Sequence, residues 1–179
     1  FSYENVEAQE SGLSEVQEVS LRGIEKYLDQ DDSSFDFAKA QEDPSIDDKT
    51  LEDFSAGLLT QGWDVRASDA ALLELNKKSD EISPHLTSLR SACEGRNGVQ
   101  KFPPAVLLNS CTASAVQNAL GAGAGVAGIA AIITAETGAG PALAGTIAGV
   151  LAINAGVIGL CNSWGHGVKI FSGGVCWSQ

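Results

Sequence analysis

The chain has 179 residues, 44% of them hydrophobic, with 11 bases against 23 acids for a net charge of −12. That length supports a real core without obligatory cross-links. The charge argues against nucleic acid as a partner, because phosphates reward Lys and Arg, and against docking on anionic membranes near neutral pH.

The charge is unevenly placed. Residues 102–179 hold one acid, Glu136, and one base, Lys169. Removing these two from the chain totals leaves 10 bases and 22 acids in residues 1–101. The division suggests a soluble, charged body holding a segment that would be content in a bilayer. The chain starts at Phe1 and contains no methionine. It is therefore expected to be either a processed product or an artificially trimmed chain, and the lack of a signal peptide at its start is what a mature secreted protein would show.

The first hundred residues read mostly as helices. Leu13, Val16, Ile24, Tyr27 and Leu28 fall near a helical period, with Ser11 or Ser14 as N-cap. Residues 29–48 are acidic and broken by Pro44, which predicts a loop or linker. An oxygen-rich loop suits calcium, but the EF-hand spacing is missing, so no metal or cofactor is expected. Thr50-x-x-Asp53 predicts a capping box for a short helix with Leu51, Phe54 and Leu58 on one face, ended by Gly62. Ser68 caps the next expected helix, with Leu72 and Leu75 inward. Ser83-Pro84 places a cap before a proline at the first helical position, and Leu86, Leu89 and Cys93 follow at helical spacing. Glu94-Gly95-Arg96-Asn97-Gly98 is a stop and turn. Phe102-Pro103-Pro104 reads as a hinge. It divides the chain into an acidic helical solubilising region, 1–101, and an apolar module, 102–179.

Two Gly/Ala-rich apolar segments follow, residues 113–135 and 142–160, parted by a polar break at 137–141. About 20 apolar residues span a bilayer, so both lengths permit it. Each Gly in a water-exposed helix costs about 1 kcal/mol relative to Ala, which close packing could offset. The spacing supports such packing. Ala144, Ala148, Ala152 and Gly156 recur every four residues, as do Gly145 and Gly149, and Gly121 and Gly125. Stripes of small residues let two helix backbones approach closely. A helical hairpin is expected, either membrane-inserting or buried as permanent core. Glu136 sits at its tip, where an ionised carboxylate would oppose crossing a bilayer and protonation would ease it.

Beyond the hairpin, Val168, Ile170, Val175 and Trp177 flank Ser172-Gly173-Gly174, which predicts a β-hairpin. Residues 105–108 could add a third strand. Cys93, Cys111, Cys161 and Cys176 have no metal-site spacing, and His85 and His166 stand alone. Four cysteines allow three pairings. Cys93–Cys111 with Cys161–Cys176 keeps the links local and brackets the apolar run; buried free thiols are the alternative.

No catalytic constellation stands out. G-x-S-x-G, HExxH and the P-loop are absent. The glycines at 121–128 follow no clear strand and lack an acid about 20 positions on, which argues against a dinucleotide loop. The chain is not expected to be an enzyme.

Residues 113–160, an Ala/Gly/Val/Ile-rich hairpin, resemble the hydrophobic hairpin of colicin-type channel domains. The β-like tail, with its disulfide-ready cysteines, departs from colicins and resembles yeast and fungal killer toxins, which are small secreted α/β proteins, some of them acidic and membrane-active. The dibasic cleavage sites common in those precursors are missing, since the chain has Lys77-Lys78 but no Lys-Arg or Arg-Arg pair. The resemblance implies a mainly α, or α+β, membrane-active toxin or antimicrobial protein acting on target-cell lipids. Its insertion residues would be Gly121, Gly125, Glu136, Gly145, Gly149, Ala152 and Gly156. A receptor, an immunity protein and self-association on the membrane are the partners such a protein allows. The rival expectation is a secreted binding or inhibitory protein whose acidic surface meets a basic partner.

Overall fold

A computed structural model describes residues 13–82, 93–153, 156–162, 166–172 and 175–179. The helix expected after Ser83-Pro84 lies outside the described residues. The fold is α+β, with helices dominant and two small sheets.

Helix α1 (Glu15–Ile24) starts at Ser14, whose hydroxyl accepts from the Gln17 amide while the Gln17 side chain accepts from the Ser14 amide. Of the two caps read from the sequence, Ser14 is the one used. Leu21 and Ile24 face inward. A 3-10 turn (Glu25–Tyr27) leads to β1 (Leu28–Asp29), which runs antiparallel to β2 (Ser34–Asp36). Helix α2 (Phe37–Gln41) is capped by Asp36. Residues 29–48, expected as a loop, thus hold a strand and a short helix. Phe35 and Phe37 are buried there and carry the segment into the core, a tertiary gain that outweighs its acidic composition.

Helix α3 (Asp48–Thr60) begins one turn before the expected capping box. Asp47 is the N-cap and accepts from the amide and the hydroxyl of Thr50. The Asp47 amide donates to the Ser20 hydroxyl at 2.8 Å, which ties the start of α3 to α1. Gly62 follows in the left-handed region (φ 80°), and β3 (Asp64–Arg66) returns parallel to β2. Ser68 accepts from the Ala71 amide ahead of α4 (Asp69–Ile82).

The second sheet is antiparallel throughout, in the order β4 (Gly98–Gln100), β5 (Ala105–Leu108), β6 (Val168–Phe171), β7 (Cys176–Ser178). The expected β-hairpin and third strand are present, and β4 adds a fourth. Phe102-Pro103-Pro104, expected as a hinge, lies in the turn joining β4 to β5. Cys93 bonds to Cys111 and Cys161 to Cys176.

Between β5 and β6 run α5 (Ser110–Gly121), α6 (Val126–Thr137), α7 (Pro141–Ile153) and α8 (Gly156–Cys161). The sequence predicts two long helices here; the structure divides the first, and residues 154–155, between α7 and α8, lie outside the described residues. Gly123 adopts φ 85° just after α5, a backbone state that suits Gly and stops a right-handed helix. Among the described residues no helix is long and apolar enough to cross a membrane.

A single cluster of buried residues runs from Leu21 to Cys176. Helix α6 packs most extensively against α3 and then against α7, while α7 also packs on α1. The acidic and apolar halves therefore share their core.

Candidate functional site

The candidate site is the α6–α7 hairpin together with the surfaces that cover it. Every residue from Val126 to Thr134 is buried. In α7, Pro141, Ala144, Gly145 and the run 147–151 are buried. Helices apolar on every side are found either in a protein core or in a membrane. Within α6, the Thr134 hydroxyl has no hydrogen-bond partner among the described residues.

A tight turn joins the pair. Gly138 takes φ 79°, the Thr137 hydroxyl donates to the Ile133 carbonyl at 2.6 Å and accepts from the Ala139 amide, and Pro141 opens α7. Two carboxylates attend this tip. Glu136 is exposed in the last turn of α6, and Glu25 approaches Gly140 from the end of α1. Neighbouring atoms withdraw the Glu136 carboxylate from part of its water, and this desolvation raises its pKa above 4.5.

Asp43 shows the reverse. Its carboxylate accepts from the Ser45 hydroxyl, the Ser45 amide and the Tyr27 hydroxyl, and these bonds lower its pKa to about 2. The same bond raises the pKa of Tyr27, because the neighbouring carboxylate disfavours a phenolate. In mild acid Asp43 therefore stays charged and keeps its bonds, while Glu136 is among the carboxylates that neutralise early.

The predicted insertion residues do not share one face in the folded chain. Gly121 ends α5 in open space. Gly125 is the exposed N-cap of α6, beside the Asp53 carboxylate. Gly145 and Gly149 are buried in α7, Ala152 is exposed in its last turn, and Gly156 opens α8. At Gly145 a methyl group would collide with Leu21 of α1. The small-residue surface of α7 is thus already occupied by the acidic half.

The close α3–α6 seam was not legible as a stripe. A methyl group on Gly57 of α3 would collide with the Gly128 carbonyl of α6 and lie 2.7 Å from the Ala131 Cβ. The signal was Ser55-Ala56-Gly57, three small residues within an otherwise patterned helix. At the end of this seam, a cleft of about 250 Å³ is bordered by Lys49, Asp53, Lys78, Glu81 and Gly125. Asp53 pairs there with Lys49 at 3.3 Å and Lys78 at 3.6 Å, and Lys78 also reaches Glu52 at 3.5 Å. The clasp joins α3 to α4 beside the start of α6.

No group of His, Cys, Asp or Glu among the described residues is arranged to hold a metal ion. Compared with protein-family models, curated proteins and solved structures, the chain matches none.

Proposed function

We propose that the chain is a secreted, membrane-perturbing toxin or antimicrobial protein whose α6–α7 hairpin enters target-cell lipid. The observation that supports this is a hairpin apolar on all sides, covered by charged helices and interrupted near its tip by a carboxylate of raised pKa. Two disulfides are compatible with an oxidising, extracellular setting.

Helix length limits the form that entry takes. Helices of 12 and 13 residues reach about 18–20 Å at 1.5 Å per residue, against a hydrocarbon core about 30 Å thick. Entry by α6 in the folded form is therefore shallow, and full spanning by the first apolar segment requires α5 to join α6. Release of the hairpin also breaks the Gly57–Gly128 and Leu21–Gly145 contacts.

Dye release from liposomes tests the reading. Leakage is expected at pH 4.5 and less at pH 7. No leakage at any pH or lipid composition would remove the proposal.

A second reading is favoured by the close α3–α6 seam: a non-enzymatic binding or inhibitory protein whose hairpin is permanent core. Its acidic surface would then meet a basic partner. Strong amide protection over residues 113–160, unchanged between neutral and acid pH and in the presence of lipid, would select it.

A further inference from the structure

The second sheet carries exposed aromatic side chains on β7 and in the β4–β5 turn. Strand register puts Leu107, Lys169 and Trp177 abreast on β5, β6 and β7. Ala105 and Phe171, two residues along, lie on the same side; Ala105 and Leu107 are buried there, Lys169 and Phe171 half-buried and Trp177 exposed, so the accessible part of this side is its β6–β7 edge. The other side, formed by Val106, Leu108, Val168, Ile170 and Cys176, belongs to the core.

The accessible part of the sheet carries unusual chemistry for this chain. Trp177 is 57% exposed, and Phe171 is half-buried with the Lys169 ammonium 6.0 Å from its ring centre. At the Phe171 end, the β4–β5 turn presents Phe102 at 91% exposure next to the exposed Lys101. The four strands and this turn contain two lysines and no acidic side chain, within a protein of net charge −12. Helix α6 packs on β5 with one side and on acidic α3 with another, which sets the sheet apart from the carboxylates of α3.

We propose that this face docks on the interface of an anionic phospholipid bilayer, with Phe102 and Trp177 entering the headgroup layer and Lys101 and Lys169 meeting the lipid charge. Aromatic and lysine side chains suit that layer because each joins an apolar body to a polar or charged end, or, for Phe, supplies apolar area alone. The net charge does not forbid contact. Exposed charges are screened beyond about 8 Å at physiological ionic strength, so a docked face responds chiefly to its own charges. The inference rests on the membrane reading above but concerns arrival at the membrane, not entry into it.

The test is co-sedimentation of the full chain with phosphatidylcholine vesicles, with and without phosphatidylglycerol, at pH 7. Binding is expected to be stronger with phosphatidylglycerol. The double variant Phe102→Ser/Trp177→Ser should bind at least tenfold more weakly with an unchanged thermal midpoint. Lys101→Gln/Lys169→Gln should lose the preference for the anionic lipid. Wild-type binding by both double variants, or no binding by the unaltered chain, overturns the proposal. So does a concentration-dependent dimer abolished by Phe102→Ser/Trp177→Ser without vesicle binding, which would assign the face to a second copy. Binding that depends on this face without leakage would leave docking standing and remove hairpin entry. Leakage with binding indifferent to these residues would do the opposite.

Discussion

Helices α3 and α6 lie against each other, yet they are built differently. Along α3, Leu51, Phe54 and Leu58 are buried while Lys49, Glu52 and Asp53 reach the clasp at its edge. The helix begins on a side-chain cap, Asp47, and one face stays polar. Helix α6 has neither feature. Gly125 provides no side-chain cap, and nine consecutive residues are buried. Local rules account for α3, which has the cap, the pattern and the ion pairs of a helix that meets water. Tertiary contact accounts for α6, whose burial depends on α3, α7 and β5 being in place.

The largest test of this contrast is a cavity in α6. Ile132→Ala should cost about 2–5 kcal/mol, since the site is fully buried and flanked by helices. Urea unfolding measures it, and a loss under about 1 kcal/mol would mean that α6 is loosely held. Gly57→Ala probes the seam itself. The added methyl gains up to about 1 kcal/mol in helix propensity, but collision with a backbone carbonyl costs about 1–3 kcal/mol. The clash should win, lowering the thermal midpoint by several degrees. Asp47→Ala should cost about 1 kcal/mol through the lost cap. Gly121→Ala should have the opposite sign from Gly57→Ala. Its methyl would meet open space at the end of α5, so a gain of up to about 1 kcal/mol is expected. A loss at Gly121 equal to that at Gly57 would dissolve the distinction between packed and unpacked glycines.

The smallest effect concerns pH. A carboxyl with a raised folded-state pKa holds its proton where the unfolded chain has lost it, so its contribution to stability falls as pH rises from about 4.5 through the folded value. Glu136→Gln should flatten that part of the stability profile. Asp43 acts in the opposite sense, and its contribution is lost only as pH falls from near 3.8 through about 2. An unchanged slope above pH 4.5 in Glu136→Gln would show that the tip carboxylate is fully hydrated.

Much of the local structure was legible. Ser14, Ser68, Gly62 and the strands around residues 105–108 and 168–178 follow from caps, turn residues and β-branched runs, whereas Gly98, expected in a turn, opens β4. Both disulfides pair locally. Residues 29–48 gain β2 and α2 because Phe35 packs edge-on to Phe54 at 5.8 Å, a contact that composition does not register. The apolar run breaks at Gly123 because one backbone conformation there outweighs helical periodicity on both sides. Small-residue spacing marked α7 correctly as a close-packing surface, but spacing names no partner. Only the fold shows Leu21 against Gly145 and Gly57 against Gly128.

The covering of α6 and α7 by α3 and α1 also fixes an order of events in biosynthesis. A ribosome makes the chain from its N-terminus, so α1 and α3 emerge before the apolar helices they receive. Strand β6 comes last of the pair that closes the second sheet, some sixty residues after β5, and a pairing that distant in sequence forms slowly. During the delay the newly made apolar helices have a waiting acceptor surface within their own chain.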